Sequence, residues 1–255
     1  MTFNPDNYEP ASDLLKDRVV LVTGAGSGIG RAAALAYAAH GATVILSGRV
    51  VSKLESVYDE ILELGGDRPS IAPLNLARAE AQDYFQLRDQ IQGEYGRLDG
   101  LLHNAGVLGT RTPLEHYDMS TWAKVMHVNV TAALAMTQVL MPLLNESTSA
   151  SIIFTSSGVG RQGRAFWGAY AVSKFATEGL AQVLAEETSG AGIIRVNCIN
   201  PGGTRTAMRA DAYPAEDPRA KPMPEDIMAT YLYLMGPDSA GITGASLDAQ
   251  VKKTV

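Results

Sequence analysis

Arg18-Val-Val-Leu-Val-Thr23 runs without a break into Gly24-Ala-Gly-Ser-Gly-Ile-Gly30, and the fold turns on how this stretch is read. The first six residues form a continuous apolar run of the kind a strand buried on both faces requires. Arg31 then leads into the alanine-rich stretch from Ala32 to His40, a helical pattern ended by Gly41. Glycines between a first strand and a first helix allow a tight turn. They also bring backbone N–H groups close to a pyrophosphate at a helix N-terminus. Gly24, Gly28 and Gly30 give G-x-x-x-G-x-G rather than the commoner G-x-G-x-x-G, with Gly26, Ser27 and Ile29 completing the loop. No Lys-Ser/Thr pair follows, which sets aside a P-loop nucleotidase. The expectation is a dinucleotide site.

Working outward, short β-branched runs alternate with longer helical ones. Further strands are expected at Ala42–Ser47, Ser70–Leu76, Leu98–His103, Ser151–Ser156, Ile193–Ile199 and, last, Ala245–Ala249. Helices are expected at Ser52–Leu64, Ala79–Tyr95, Thr121–Leu144, Ala169–Glu187 and Pro224–Met235. Regular alternation means βαβ units. The fold class is therefore α/β: a Rossmann-type doubly wound parallel sheet of about seven strands with helices on both faces, in three α/β/α layers. Residues 1–13 read as a polar arm, 14–250 as one domain and 251–255 as a tail.

Of the 255 residues, 46% are hydrophobic and 19% charged, the profile of a globular protein rather than a disordered one. A net charge of −6 speaks against a nucleic-acid surface. No run approaches the roughly 20 apolar residues of a membrane span, and the N-terminus has no secretory pattern. Cys198, alone in an apolar strand, is expected to be a small buried hydrophobe. His40, His116 and His127 show no metal-ligand spacing, so no metal is expected. Asp99 is expected to bond nearby backbone and His103 to be packed. The default location is cytoplasmic.

Roughly twenty residues past such a glycine loop, an acidic side chain marks NAD and a basic one accommodates the 2′-phosphate of NADP. No Asp or Glu lies between Arg31 and Lys53, and strand two ends in Ser47-Gly48-Arg49. Arg49 can form forked bonds to a phosphate, with Ser47 as a further donor. NADP(H) is expected, with NAD(H) as the second option. Asn75, at the end of strand three, can accept from the adenine N6 amine.

Tyr170-Ala-Val-Ser-Lys174 supplies the chemistry. Four residues apart on a helix, Tyr170 and Lys174 share a face. A lone tyrosine, with a pKa of about 10, is a poor acid at neutral pH. A nearby ammonium favours the phenolate and is expected to bring it toward the working range. A serine hydroxyl, Ser157 in Phe154-Thr-Ser-Ser157-Gly, can hold the same substrate oxygen. By itself Y-x-x-x-K is common; beside the glycine loop it acquires a partner.

Taken together, the chain resembles the short-chain dehydrogenase/reductase family over about residues 14–250, in particular its bacterial YciK-like branch. The motifs fall in the family's order: the loop from Thr23 to Gly30, Asn104-Ala-Gly106, Asn129 in His127-Val-Asn-Val130, Ser157, Tyr170-x-x-x-Lys174, and Pro201-Gly202 with Thr206. The resemblance implies that Tyr170 is the proton donor in reduction and the base in oxidation. Lys174 would lower its pKa and hold the nicotinamide ribose, Ser157 orient the substrate oxygen, and Asn129 fix a water in a proton relay. Asn104, Ala105 and Gly106 would pack beside the adenine ribose, with Asn75 and Leu76 at the adenine. Pro201, Gly202, Thr204 and Thr206 would surround the nicotinamide. The family's serine-to-tyrosine spacing selects Ser157 over Ser156, which would face away. The implied activity is transfer of hydride between nicotinamide and a carbonyl or secondary alcohol, in a homodimer or homotetramer.

Two regions depart from the family pattern. Only residues 207–223 separate Thr206 from the late helix, where a longer lid is common, and a relatively open site is expected. Leu247-Asp-Ala-Gln250 stands where an Asp-Gly-Gly-like ending is frequent. Arg161, Arg164, Arg205 and Arg209 flank the expected nicotinamide site, suiting either an anionic substrate or structural ion pairs. Other readings of the chain are a non-enzymatic dinucleotide sensor or scaffold, and a nucleotide-sugar epimerase or dehydratase. The second lacks its usual loop and longer substrate domain.

Overall fold

A computed structural model describes residues 3–190 and 192–251. Seven strands form one parallel sheet: β1 (Val19–Thr23), β2 (Thr43–Gly48), β3 (Ser70–Pro73), β4 (Gly100–His103), β5 (Ala150–Thr155), β6 (Ile194–Asn200) and β7 (Ser246–Asp248). Their order is β3-β2-β1-β4-β5-β6-β7. The order reverses between β1 and β4, which opens a crevice at their carboxyl ends, where ligands of such sheets bind.

The five inner strands are buried on both faces, and successive residues serve opposite cores. Val20 and Val22 join the cluster formed with α1 (Gly28–Ala39), α2 (Val51–Glu63) and α8 (Met228–Met235). Val19 and Leu21 join the other, built with α3 (Ala81–Tyr95), α5 (Ala132–Asn145) and α6 (Gly168–Thr188). The three-layer architecture follows directly from that alternation.

The helix expected at Thr121–Leu144 is a rod interrupted once. α4 (Met119–Met126) passes through a π-helical turn, His127–Thr131, into α5. The rod from Met119 to Asn145 is long and apolar enough to cross a membrane by length and composition alone. Here α4 packs on α6, and α5 on α3. β3 is shorter than expected: it stops at Pro73, which frees 74–76 to form the cleft wall. Between Thr206 and α8 lies a short helix, α7 (Ala207–Ala212), capped by the Thr206 hydroxyl accepting from Arg209 N–H at 3.1 Å.

The N-terminal segment is tied down. Phe3 stacks on Tyr233 at 4.0 Å, and the Tyr8 hydroxyl donates to Asp238 at 2.7 Å. Residues 1–2 of the expected arm, and all of the expected tail except Val251, lie outside the described residues.

Candidate active site

The glycine loop sits at the carboxyl end of β1, and Gly28, Ile29 and Gly30 already belong to the first turn of α1. Gly24 has φ +69°, a conformation few side chains tolerate. At Gly30 a Cβ would collide with the Gly24 carbonyl and the Asn104 amide, so only glycine lets loop, helix and β4 turn meet. Thr23 secures that turn. Its hydroxyl accepts from the N–H groups of Asn104 and Ala105 at 3.0 and 3.1 Å and donates to the Leu102 carbonyl at 3.1 Å. This hydroxyl went unremarked in the sequence because threonine at a strand end is commonplace.

A cleft of about 370 Å³ runs from this loop along the sheet's carboxyl edge. Its outer end is lined by Ser47, Arg49, Lys53, Asn75 and Leu76, its middle by Asn104, Ala105 and Gly106. Its inner end holds Ser157, Tyr170, Lys174, Pro201, Gly202, Thr204 and Thr206. Every charged residue lining it is a cation: Arg49, Lys53, Lys124, Lys174 and Arg209. That bias suits a polyanionic ligand. Lys53 and Lys124 had no sequence signal as site residues, since a surface lysine on a helix is ordinary. Arg49 is exposed at the mouth. The Asn75 carboxamide oxygen accepts the Ala77 N–H at 3.2 Å, which shapes the turn after β3.

Tyr170 and Lys174 both project from α6 into the cleft, with the Lys174 ammonium 5.6 Å from the centre of the Tyr170 ring. The ammonium donates to the Thr155 carbonyl at 2.6 Å. Burial is the leading influence on the tyrosine in this structure. Burial pushes the Tyr170 phenol up to about 12, opposed only by interaction with the Ser157 hydroxyl. Burial likewise pulls Lys174 down to about 8. Lys174 is committed to the end of β5. Both serines line the cleft: Ser156 is buried with its hydroxyl unpartnered, while Ser157 is half-buried.

Asn129 lies in the π-turn, buried. Its carboxamide oxygen accepts from Val107 N–H at 2.8 Å, and its amide donates to the Val107 carbonyl and to Ser173 Oγ, both at 3.0 Å. Ser173 in turn donates to the Tyr170 carbonyl at 2.8 Å. The π-turn thus ties the strand-four loop to the helix that carries Tyr170, as such turns often do at sites. Ser173, inside the Tyr-x-x-x-Lys motif, had no reading of its own in the sequence.

Three of the four arginines singled out are engaged within the chain. Arg161 pairs with Asp248 at 2.6 Å and Glu178 at 3.5 Å. Arg205 donates to the carbonyls of Pro218 and Lys221. Arg209 forks onto Glu216 at 2.6 and 2.7 Å. Arg164 is exposed and lies outside the cleft lining. Elsewhere Asp99 accepts from Val19 N–H at 2.9 Å, and His103 stacks on Phe154 at 4.7 Å, both buried. Burial pulls the His103 imidazole down to about 3.

The parallel sheet with its crevice at the β1/β4 reversal, the glycine loop and the Ser–Tyr–Lys end define an oxidoreductase of the short-chain kind. The sequence matches the short chain dehydrogenase family over residues 18–217, and the chain belongs to that family. It is 54% identical over 244 residues to the uncharacterized oxidoreductase YciK of Escherichia coli K12, covering 96% of each chain. Among solved structures it is similar to a short chain dehydrogenase from Salmonella enterica serovar Typhi, with 54% identity, TM-score 0.94, and 96% and 100% of the two chains covered. It is also similar to a protein of Escherichia coli CFT073 solved in complex with NADPH. The identity there is 55% and the TM-score 0.92, with 95% and 100% covered.

Proposed function

We propose that the chain is an NADPH-dependent reductase of small carbonyl compounds, running in reverse as an alcohol dehydrogenase. The observation that carries this reading is the convergence of Ser157, Tyr170 and Lys174 at the inner end of a cleft whose outer end is basic. Relatives that share over half of this sequence bind NADP or NADPH in their structures.

The residues present fit the dinucleotide. The α1 N-terminus, bared by Gly24, Gly26, Ser27, Gly28, Ile29 and Gly30, receives the pyrophosphate. Ser47, Arg49 and Lys53 receive the 2′-phosphate, and no carboxylate stands there to repel it. Asn75 and Leu76 flank the adenine, with Asn104, Ala105 and Gly106 beside its ribose. Pro201, Gly202, Thr204 and Thr206 close round the nicotinamide end. When bound, the cofactor supplies the hydride.

The chain's own residues manage the proton. Tyr170, kept protonated by burial, donates it to the substrate oxygen, and Ser157 holds that oxygen in line. Lys174 holds the nicotinamide ribose and, with Asn129 and an ordered water, passes a replacement proton inward. In the reverse direction Tyr170 is the base. A homodimer or homotetramer, paired through the outer faces of α5 and α6 where Leu134, Val172, Phe175 and Val183 stand exposed, and a cytoplasmic location go with this reading.

The test is NADPH consumption over a panel of ketones, quinones and 3-oxoacyl thioesters, with NADH run alongside. Turnover of at least one carbonyl is expected, with NADPH favoured by about tenfold or more and that preference largely lost in Arg49→Ala. Equal use of NADH by the unmodified enzyme would remove the role given to Arg49.

A further inference from the structure

Beyond Tyr170 and Lys174, helix α6 buries one further ionisable side chain, Glu178. The three stand at four-residue steps, so they share a face, and all three are buried. The helix packs on β6, where the Cys198 sulfur lies 3.9 Å from the Thr177 carbonyl. Glu178 is fixed from outside the helix. Ser246, on β7, donates to its carboxylate at 2.8 Å, and Arg161 lies 3.5 Å away. Arg161 makes its closer contact with Asp248, at 2.6 Å. It therefore neutralises Glu178 only in part, one helical turn from Lys174.

Lys174 calls for an anion at that place. Its ammonium is buried, and its hydrogen bond goes to an uncharged carbonyl, that of Thr155. Burial pulls it down to about 8, while Cys198 and Glu178 work in the opposite sense. The thiol can help only as a thiolate. Burial, and then the Glu178 carboxylate, push that thiol well up, so it is uncharged at neutral pH. Tyr170 is uncharged as well, its phenol pushed up to about 12 by burial. The other ionisable groups on elements packed against α6 are Lys124 on α4, His127 in the π-turn and Arg195 on β6, and none of these can carry negative charge. Asp248 is taken up by Arg161 and Asn200. Among the described residues, Glu178 is thus the anion that faces Lys174.

We propose that Glu178 is a positioning residue for the reaction: its carboxylate keeps the Lys174 ammonium charged at neutral pH, and Lys174 in that state holds the nicotinamide ribose. Arg161, drawing on the same carboxylate, limits how strongly it does so. The inference rests on the reductase reading, which sets Lys174 against the cofactor. A Glu178 that merely tied α6 to β7 would, once altered, weaken cofactor binding equally at every pH. A Glu178 that holds a charge acts on the basic limb alone.

NADPH affinity is measured by fluorescence titration from neutral pH to about 9.5, on the unmodified chain and its variants. In the parent, affinity should begin to fall as pH climbs through about 8, where Lys174 loses its proton. Glu178→Gln keeps an acceptor for Ser246 but removes the charge, and it should move that fall to lower pH by about one unit. Glu178→Asp, which keeps the charge, should bring the fall back toward the parent position, and Cys198→Ser should leave it in place. Arg161→Gln frees Glu178 from a competing cation and should move the fall upward. The inference stands or falls on that opposite sign if Glu178→Gln does not fold. An affinity that is flat with pH in the parent, or a fall left in place by both Glu178→Gln and Arg161→Gln, would overturn it. So would a loss in Glu178→Gln that is equal at every pH, or a downward shift in Cys198→Ser as large as in Glu178→Gln. Carbonyl reduction is assayed alongside: the stated shifts without turnover of any carbonyl would sink the reductase reading and leave the Glu178–Lys174 pairing standing.

Discussion

Tyr170 and Lys174 show how burial, rather than proximity, sets the state of the candidate acid. The phenol is up at about 12 and the ammonium down at about 8, and in both cases desolvation is the leading cause. A phenol in that state holds its proton at neutral pH, and it becomes an efficient acid only as that pKa falls toward the working range. The lysine has a consequence for stability. With its pKa lowered from 10.5 to about 8, the unfolded chain binds more protons than the folded one between those values. Stability from this group therefore rises as pH climbs through that window, and the cost is fully present below it. Lys174→Met removes the cost, so its urea midpoint should exceed that of the parent near pH 7, and the gap should narrow toward pH 10. A gap that stays constant with pH would show that Lys174 is not the titrating group.

At the scale of elements, β7 does more than end the sheet. Asp248 holds Arg161, from the turn after Ser157, and accepts from the Asn200 amide at 2.8 Å. Gln250 donates to the Pro201 carbonyl at 2.6 Å and to the Gly203 carbonyl at 3.2 Å. One short segment thus clamps the loops after β5 and β6, which form the inner end of the cleft. Leu247-Asp-Ala-Gln250 reads in sequence only as a departure from the family ending. Its use depends on partners 48 to 87 residues away in the chain, at Asn200 and Arg161, which no local pattern announces. The π-turn at Asn129 is equally silent, because its hydrogen bonds span only one residue more than those of an α-helix in an otherwise continuous apolar pattern. By contrast, the seven strands, as short apolar runs, and the longer helices, by their 3.6-residue period, were readable, whereas the short α7 was not. The glycine loop, whose steric demands are local, was readable too. Asp248→Ala should lower the melting temperature by a few degrees, about 2–4 °C per kcal/mol for a chain of this size. It should also weaken NADPH binding several-fold, whereas Arg164→Ala should do neither. Identical melting and binding in both variants would refute the clamp.

Across the whole molecule, the strand reversal between β1 and β4 fixes where the cleft lies, and the charge of its walls fixes what enters. A chain of net charge −6 concentrates only cations along that cleft. Chain-wide composition pointed away from nucleic acid, yet it could not reveal this local reversal of sign. The Ser–Tyr–Lys set and the glycine loop were legible because their spacing is covalent. The partners of Arg161 and Arg209 were not, since Asp248 and Glu216 come to them only through folding. Everything then converges on one proton. The direct measurement is single-turnover oxidation of bound NADPH by a carbonyl substrate in Tyr170→Phe, with NADPH affinity measured in parallel. The account predicts affinity within about twofold of the parent and a rate lowered by about 10²–10⁴-fold, the share a positioned acid contributes. An unchanged rate with intact NADPH binding would contradict it.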